Sequence, residues 1–152
     1  MRPATVLASL LMLGLAGCGG NPDTPAGRAA DARHESFEAM GDAFKVAADE
    51  MKKDAPDMAA IQTAAGKINA LAPKVPEWFP AGSGPDDGIR TGALQTVWTK
   101  PEEFRQAAQK FANEAVKFEA AAKGGDKAAV GAAMQTLGGA CKGCHEKFRE
   151  AE

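Results

Sequence analysis

Cys141, Lys142, Gly143, Cys144 and His145 stand together near the C-terminal end of a chain of 152 residues. On a helix the two cysteines lie one turn apart on one side, so each thiol can form a thioether with one of the two vinyl groups of a haem. The imidazole of His145, four residues on from Cys141, then supplies the neutral nitrogen base that iron needs. Other chemistries fit these residues less well. A redox dithiol belongs in a thioredoxin-like βαβ setting and has no use for His145. Zinc wants a fourth ligand, and the one other histidine is His34, far away in sequence. A disulfide between cysteines a single helical turn apart is awkward geometrically. The spacing points to one covalently attached haem c, held by Cys141 and Cys144 with His145 on the iron.

The elements that must carry this motif are helices. Alanine dominates, aromatics are only 6%, there is no Tyr, and Val and Ile are sparse, which suits packed helices and not a sheet. The length suits one domain. Lys plus Arg is 18 against 20 for Asp plus Glu, a net charge of −2, so no basic surface is available to neutralise phosphates and nucleic-acid binding is not expected.

Apolar side chains recur at helical spacing in four stretches. The first runs from about residue 29 to 53 through Phe37, Met40, Phe44, Ala47 or Ala48, and Met51. The second is expected from Pro56, in its first turn, to residue 72, with Met58, Ile61, Ala65, Ile68 and Leu71 inward and Pro73 ending it. Thr99 and Glu102 have the spacing of a capping box, opening a third helix through Phe104, Ala108, Phe111, Ala115 and Phe118. Gly124 and Gly125 supply a left-handed stop, and Asp126 caps a fourth helix that buries Val130, Met134, Leu137, Cys141, Cys144 and Phe148. The connection from Pro73 to Trp98 is long and rich in Pro and Gly. It also carries Val75, Trp78, Phe79, Leu94, Val97 and Trp98, so it must pack on something. The expected fold is all-α: an antiparallel four-helix bundle over residues 29–152, with haem c on the C-terminal helix.

Met1 to Cys18 has an early cation at Arg2, an apolar run from about Val6 to Leu15, and small residues before a cysteine. That is the layout of a secretory signal peptide over residues 1–17, too short to span a membrane. Leu15, Ala16, Gly17 and Cys18 resemble the bacterial lipobox, in which the cysteine is acylated and becomes the first residue of the mature chain. Residues 18–28 then read as a lipidated Cys18 and a flexible Gly- and Pro-rich tether. Losing residues 1–17 removes Arg2 and no acid, moving the net charge to −3, so attachment is by lipid and not by an electrostatic grip. The expected location is the periplasm, on a bacterial membrane. Gly19 in place of Asp after the cysteine points by resemblance to the outer membrane over the inner.

Only seven residues follow His145 and none is Met, so no downstream methionine is expected to close the sixth position of the iron. With its haem motif on the last helix of a bundle, the chain resembles the cytochrome c' (cytochrome c prime) family, from about Asp31 to Arg149. Arg33 followed four residues later by Phe37 is similar to the family's first-helix pattern. Phe79, Pro80, Gly82 and Ser83 resemble its Phe-Pro-x-Gly-Ser/Thr turn. Val97, Trp98 and Phe104 resemble its Ile-Trp and later Phe, and Phe148 with Arg149 its aromatic and Arg after the ligand histidine.

The resemblance implies that Arg33 neutralises a haem propionate and that Phe37 lies over the open face of the iron. It also implies that Arg149, one turn beyond His145, lies beside the proximal imidazole. Phe79, Trp98 and Phe104 are candidates for the walls. Phenylalanine offers iron no lone pair, so the expected centre is five-coordinate and high-spin, binding NO or CO and able to transfer electrons to a partner protein the sequence does not identify. No distal His, Asp or Glu is placed for acid–base work, and no enzymatic activity is expected. The alternative is a six-coordinate, low-spin electron carrier with Met40 or His34 as second axial ligand. Homodimers are common in the family through the first two helices, and the stripe Met51, Met58, Ile61 is a candidate seam.

Overall fold

The four periodic stretches fold as four long helices in a computed structural model that describes residues 21–151. They are α1 (Pro25–Met51), α2 (Met58–Leu71), α4 (Pro101–Gly124) and α5 (Lys127–Phe148), with a single-turn α3 (Thr96–Thr99) between α2 and α4. The expected all-α antiparallel four-helix bundle is what the chain forms. The signal peptide, the lipobox with Cys18 and the start of the tether lie outside the described residues. Among the described residues no helix is long and apolar enough to cross a membrane.

Local chemistry sets the helix ends. The Asp126 carboxylate accepts from Ala129 N at 2.7 Å and starts α5. Gly125, at φ 74°, takes the left-handed conformation that stops α4 without a Cβ penalty. Three sequence expectations fail at the ends. α1 begins at Pro25, ahead of the expected residue 29, because the Thr24 hydroxyl accepts from Gly27 N at 3.1 Å and Pro25 suits the first turn. The expected tether is therefore helical in its last part. α2 begins at Met58, since Asp57 accepts from Ala59 N and Ala60 N at 2.9 and 3.1 Å, and Pro56 stays outside. The capping box at Thr99 does not form: its hydroxyl donates back to Gln95 O at 3.3 Å, and Glu102 pairs with Arg105.

The helices run up, down, up, down, so α1 enters and α5 leaves at the same end of the bundle. The opposite end holds the two tight turns, where Lys127 Nζ donates to Lys53 O at 2.6 Å. The chain from Pro73 to Trp98 crosses the first end, tightened into 3-10 turns over Ala72–Trp78 and Pro85–Asp87.

Two clusters divide the core along its length. Toward the tight turns, Ala43, Ala47, Ala64, Ala65, Ala112, Ala115 and Ala122 let the helices approach closely around Ile61, Ile68, Phe118, Val130 and Leu137. Ile61, one of the three residues of the candidate dimer seam, lies inside this cluster, and Met51 and Met58 pack half-buried against it. The other end is aromatic: all aromatic side chains except Phe44 and Phe118 pack around Met40, Val75, Val97 and Ala108. Phe118 has no exposed surface. Phe118→Ala is expected to lower unfolding free energy by about 3–5 kcal/mol, read from the urea midpoint of the loaded protein.

Candidate functional site

Gly131 and Gly138 lie where α5 meets α1. A methyl carbon placed on Gly131 would stand 3.6 Å from Met51 Cε, and one on Gly138 would stand 3.7 Å from Phe44 Cζ. The two helices touch along a narrow seam, whereas α1 packs broadly on α2, and α4 on α5. Each advance of seven residues on α5 meets a retreat of seven on α1. Continued once more, that antiparallel register sets His145 level with Phe37, in the aromatic half of the molecule.

The residues named from sequence gather there unevenly. Phe37, Phe79, Trp98 and Cys144 pack against the cluster formed by Met40, Phe104, Phe148 and their neighbours. The Phe37 ring meets Trp78 edge-on at 5.2 Å and Phe79 at 6.2 Å, and Phe79 meets Phe104 at 4.9 Å. Cys141 and Cys144 are half-buried free thiols. Burial pushes the Cys141 thiol up to about 11, with help from neighbouring Cys144, and burial likewise raises Cys144. Both sulfurs are neutral at physiological pH. His145 is exposed on the same helix, and its carbonyl accepts from Arg149 N at 3.0 Å. Among the described residues, no three His, Cys, Asp or Glu side chains converge as a metal site would require.

Arg33 occupies an unusual position for a cation, 3% exposed. Its guanidinium donates to Ser83 Oγ at 2.8 Å and to Ser83 O at 2.7 Å. Its Cζ lies 5.0 Å from the centre of the Phe79 ring and 5.4 Å from that of Trp98. Burial lowers its pKa, and Asp31 opposes the shift without coming within ion-pairing distance. The Ser83 hydroxyl donates to Pro80 O at 2.8 Å, and Trp98 Nε1 donates to the same carbonyl at 3.0 Å. Gly84 lets Trp98 lie against the turn: a Cβ there would stand 3.1 Å from Trp98 Cε3 and 2.7 Å from Gln95 Oε1. Sequence reasoning quoted Ser83 within a turn motif and gave it no role. No local signal could have shown that it would meet an arginine 50 residues earlier.

α5 ends at Phe148, and Arg149 is its extended C-cap at φ −125°, ψ 143°, its N–H still donating to the carbonyl of His145 one turn back. Leu94 N donates to Phe148 O at 2.9 Å, Glu150 N to Gly92 O at 2.8 Å, and Thr96 Oγ1 to Lys147 O at 2.8 Å, pinning the end of α5 to the crossover chain. The proposed sixth ligands find no support. The His34 side chain is 74% exposed and pairs with Glu38 at 3.3 Å. Met40 is 6% exposed within the core, one turn nearer the alanine-rich half than Phe37.

These residues fit a haem. Two half-buried thiols stand one turn apart, Cys144 against an apolar aromatic cluster, an imidazole follows on the same helix, and among the described residues no carboxylate comes within 4 Å of buried Arg33 to balance it. The haem propionates are anions of the kind such a cation needs.

The sequence profile of the family described as Cytochrome C' matches residues 28–149. A cytochrome c' of Pararhodospirillum photometricum is 40% identical over 119 residues, covering 78% of this chain and 93% of that protein. Among solved structures, cytochrome c' from Rubrivivax gelatinosus superposes with a TM-score of 0.75 at 35% identity, over 82% of this chain and 97% of that one. A nitric oxide complex of a cytochrome c prime variant from Alcaligenes xylosoxidans superposes with a TM-score of 0.74 at 27% identity, over 83% and 97%. Matched from the helix that carries Arg33 and Phe37 to the one that carries Cys141, Cys144 and His145, this chain belongs to the cytochrome c' family of haem proteins.

Proposed function

We propose that the protein holds one haem c through thioethers from Cys141 and Cys144, with His145 as proximal ligand and Phe37 over the opposite face. When bound, the haem supplies an iron that cycles between ferric and ferrous and can take a small gas at an open position. Phe37 offers no lone pair, and with Trp78 and Phe79 it makes an apolar lid that excludes water. Phe37 and Phe79 neither donate nor accept protons, so they favour binding and electron transfer over acid–base catalysis. A ligand that needs no hydrogen-bond donor suits such a lid, which favours NO and CO. The nitric oxide complex of the Alcaligenes relative supports extending that ligand to this chain. Arg33 would balance a propionate from within its bed of Ser83 and aromatic rings.

The reading includes export to the periplasm, removal of residues 1–17 and acylation of Cys18, which would anchor the domain to a bacterial membrane. The observation that carries the function is the contact of Gly131 with Met51 and of Gly138 with Phe44, a register of α1 on α5 that, carried seven residues further, would pair Phe37, a residue unable to ligate, with His145. Visible spectra of the ferric and ferrous holoprotein test it. High-spin ferrous bands that shift on adding NO and CO are expected, and the alkaline pyridine spectrum should be that of a haem with both vinyl groups saturated. Sharp low-spin bands indifferent to CO would overturn the open-site reading.

A further inference from the structure

The described chain is fixed in place from its first residue. Asn21 Oδ1 accepts from Arg90 N at 2.7 Å, and Asn21 Nδ2 donates to Arg90 O at 3.1 Å and to Asp31 Oδ1 at 2.7 Å. One side-chain amide thus pairs with both backbone groups of a crossover residue. Thr24 N donates to Pro22 O at 2.7 Å, Arg28 pairs with Asp23, and Pro22 O lies so close to Gly27 that only a glycine fits there. Residues 21–24 are therefore folded against the first turn of α1.

The loop that Asn21 grips continues into Gly92, Leu94 and Thr96, the residues hydrogen-bonded to the last turn of α5. A single run of hydrogen bonds joins Asn21 to the helix of Cys141, Cys144 and His145. Only Gly19 and Gly20 separate Asn21 from Cys18. Three Cα steps span at most about 11 Å.

We infer that the end of the bundle carrying the haem motif faces the bilayer, with the crossover loop around Arg90 against the lipid headgroups. This rests on the proposed acylation of Cys18. The lipid chains must lie in the membrane, and a reach of about 11 Å does not let the domain turn over. A helix as long as α4, 24 residues, is about 36 Å long, so the tight turns at Lys53 and Lys123 stand well clear of the surface. Electrons and gas would then reach the site from the membrane side.

The acylated holoprotein in phosphatidylcholine vesicles, digested with trypsin, tests the orientation. Flotation and intact mass first establish that the chain is acylated at Cys18 and bound. Cleavage after Arg90 is expected to be at least tenfold slower than in a variant with twenty Gly and Ser residues inserted between Gly20 and Asn21, a spacer of about 25 Å. Cleavage after Lys53 and Lys123 should be alike in both. Asn21→Ala should recover part of the Arg90 cleavage while still floating. Equal protection at both ends, or none at Arg90, in protein that floats overturns the orientation and leaves the anchor standing. Protein that lacks the acyl mass and stays in the aqueous layer overturns the anchor, and this inference with it, without touching the haem reading.

Discussion

Phe37→Met is expected to convert the haem from high-spin to low-spin and to weaken CO binding at least about 100-fold, equivalent to about 2.7 kcal/mol. Carried seven residues beyond the contact of Gly138 with Phe44, the register of α5 on α1 would pair residue 37 with His145, and the ring already packs edge-on against Trp78 at 5.2 Å. A methionine there has nearly the same volume, so the fold should tolerate it at less than about 1.5 kcal/mol. Its thioether sulfur is a good iron ligand where the phenyl ring is none. The variant should therefore gain an internal ligand that any gas must displace. Phe37→Ala is the control: it removes the lid without supplying a ligand and should remain high-spin, with faster CO association. Optical titration of the ferrous proteins reads both. A Phe37→Met protein that stays high-spin and binds CO like its parent would remove residue 37 from the distal face.

The second large effect is expected at Arg33. Its removal takes away two hydrogen bonds to Ser83 and the stacking on Phe79 and Trp98, and leaves a void in the aromatic half of the core. Arg33→Ala should cost about 3 kcal/mol in the urea midpoint of the ferric holoprotein. Arg33→Lys should recover little, because an ammonium cannot span the Ser83 hydroxyl and carbonyl as the planar fork does. If Arg33→Ala loses less than about 1 kcal/mol, the guanidinium is ornamental to the fold. If Arg33→Lys matches the parent, charge alone matters and the fork does not.

The bundle was legible because its signals are local. Apolar residues at three-and-four spacing, an aspartate ahead of α5 and a glycine behind α4 each act within a few residues. Thr99 misled for the same reason: its spacing to Glu102 was right for a cap, but its hydroxyl closes the one-turn α3 instead. The motif of Cys141, Cys144 and His145 asks only for a helix, and α5 supplies it. Arg33 and Phe37 came from the family pattern, and nothing in their surroundings predicted a buried arginine. A cation beside His34 and Glu35 looks like a solvated face, and what buries it is a turn 50 residues away. Gly131 and Gly138 gave no signal as a seam because two glycines in a helix look like weak helix formers until a partner arrives against them.

Phe37 and His145 are carried by the first and last helices of the described residues, a pair that touch only along a narrow seam. A chain made from its N-terminus presents α1, α2 and α4 first, and their alanine-rich half can associate before the final stave is available. The helix bearing the cysteines is last to arrive, packing broadly on neighbouring α4, and only its narrow seam with α1 closes over a long stretch of sequence. Its thiols, neutral and half-covered once docked, are most open to reaction before that closure. On the proposed haem attachment, assembly order and site chemistry are coupled: the late docking of α5 favours reaction of the cysteines before the bundle closes around them.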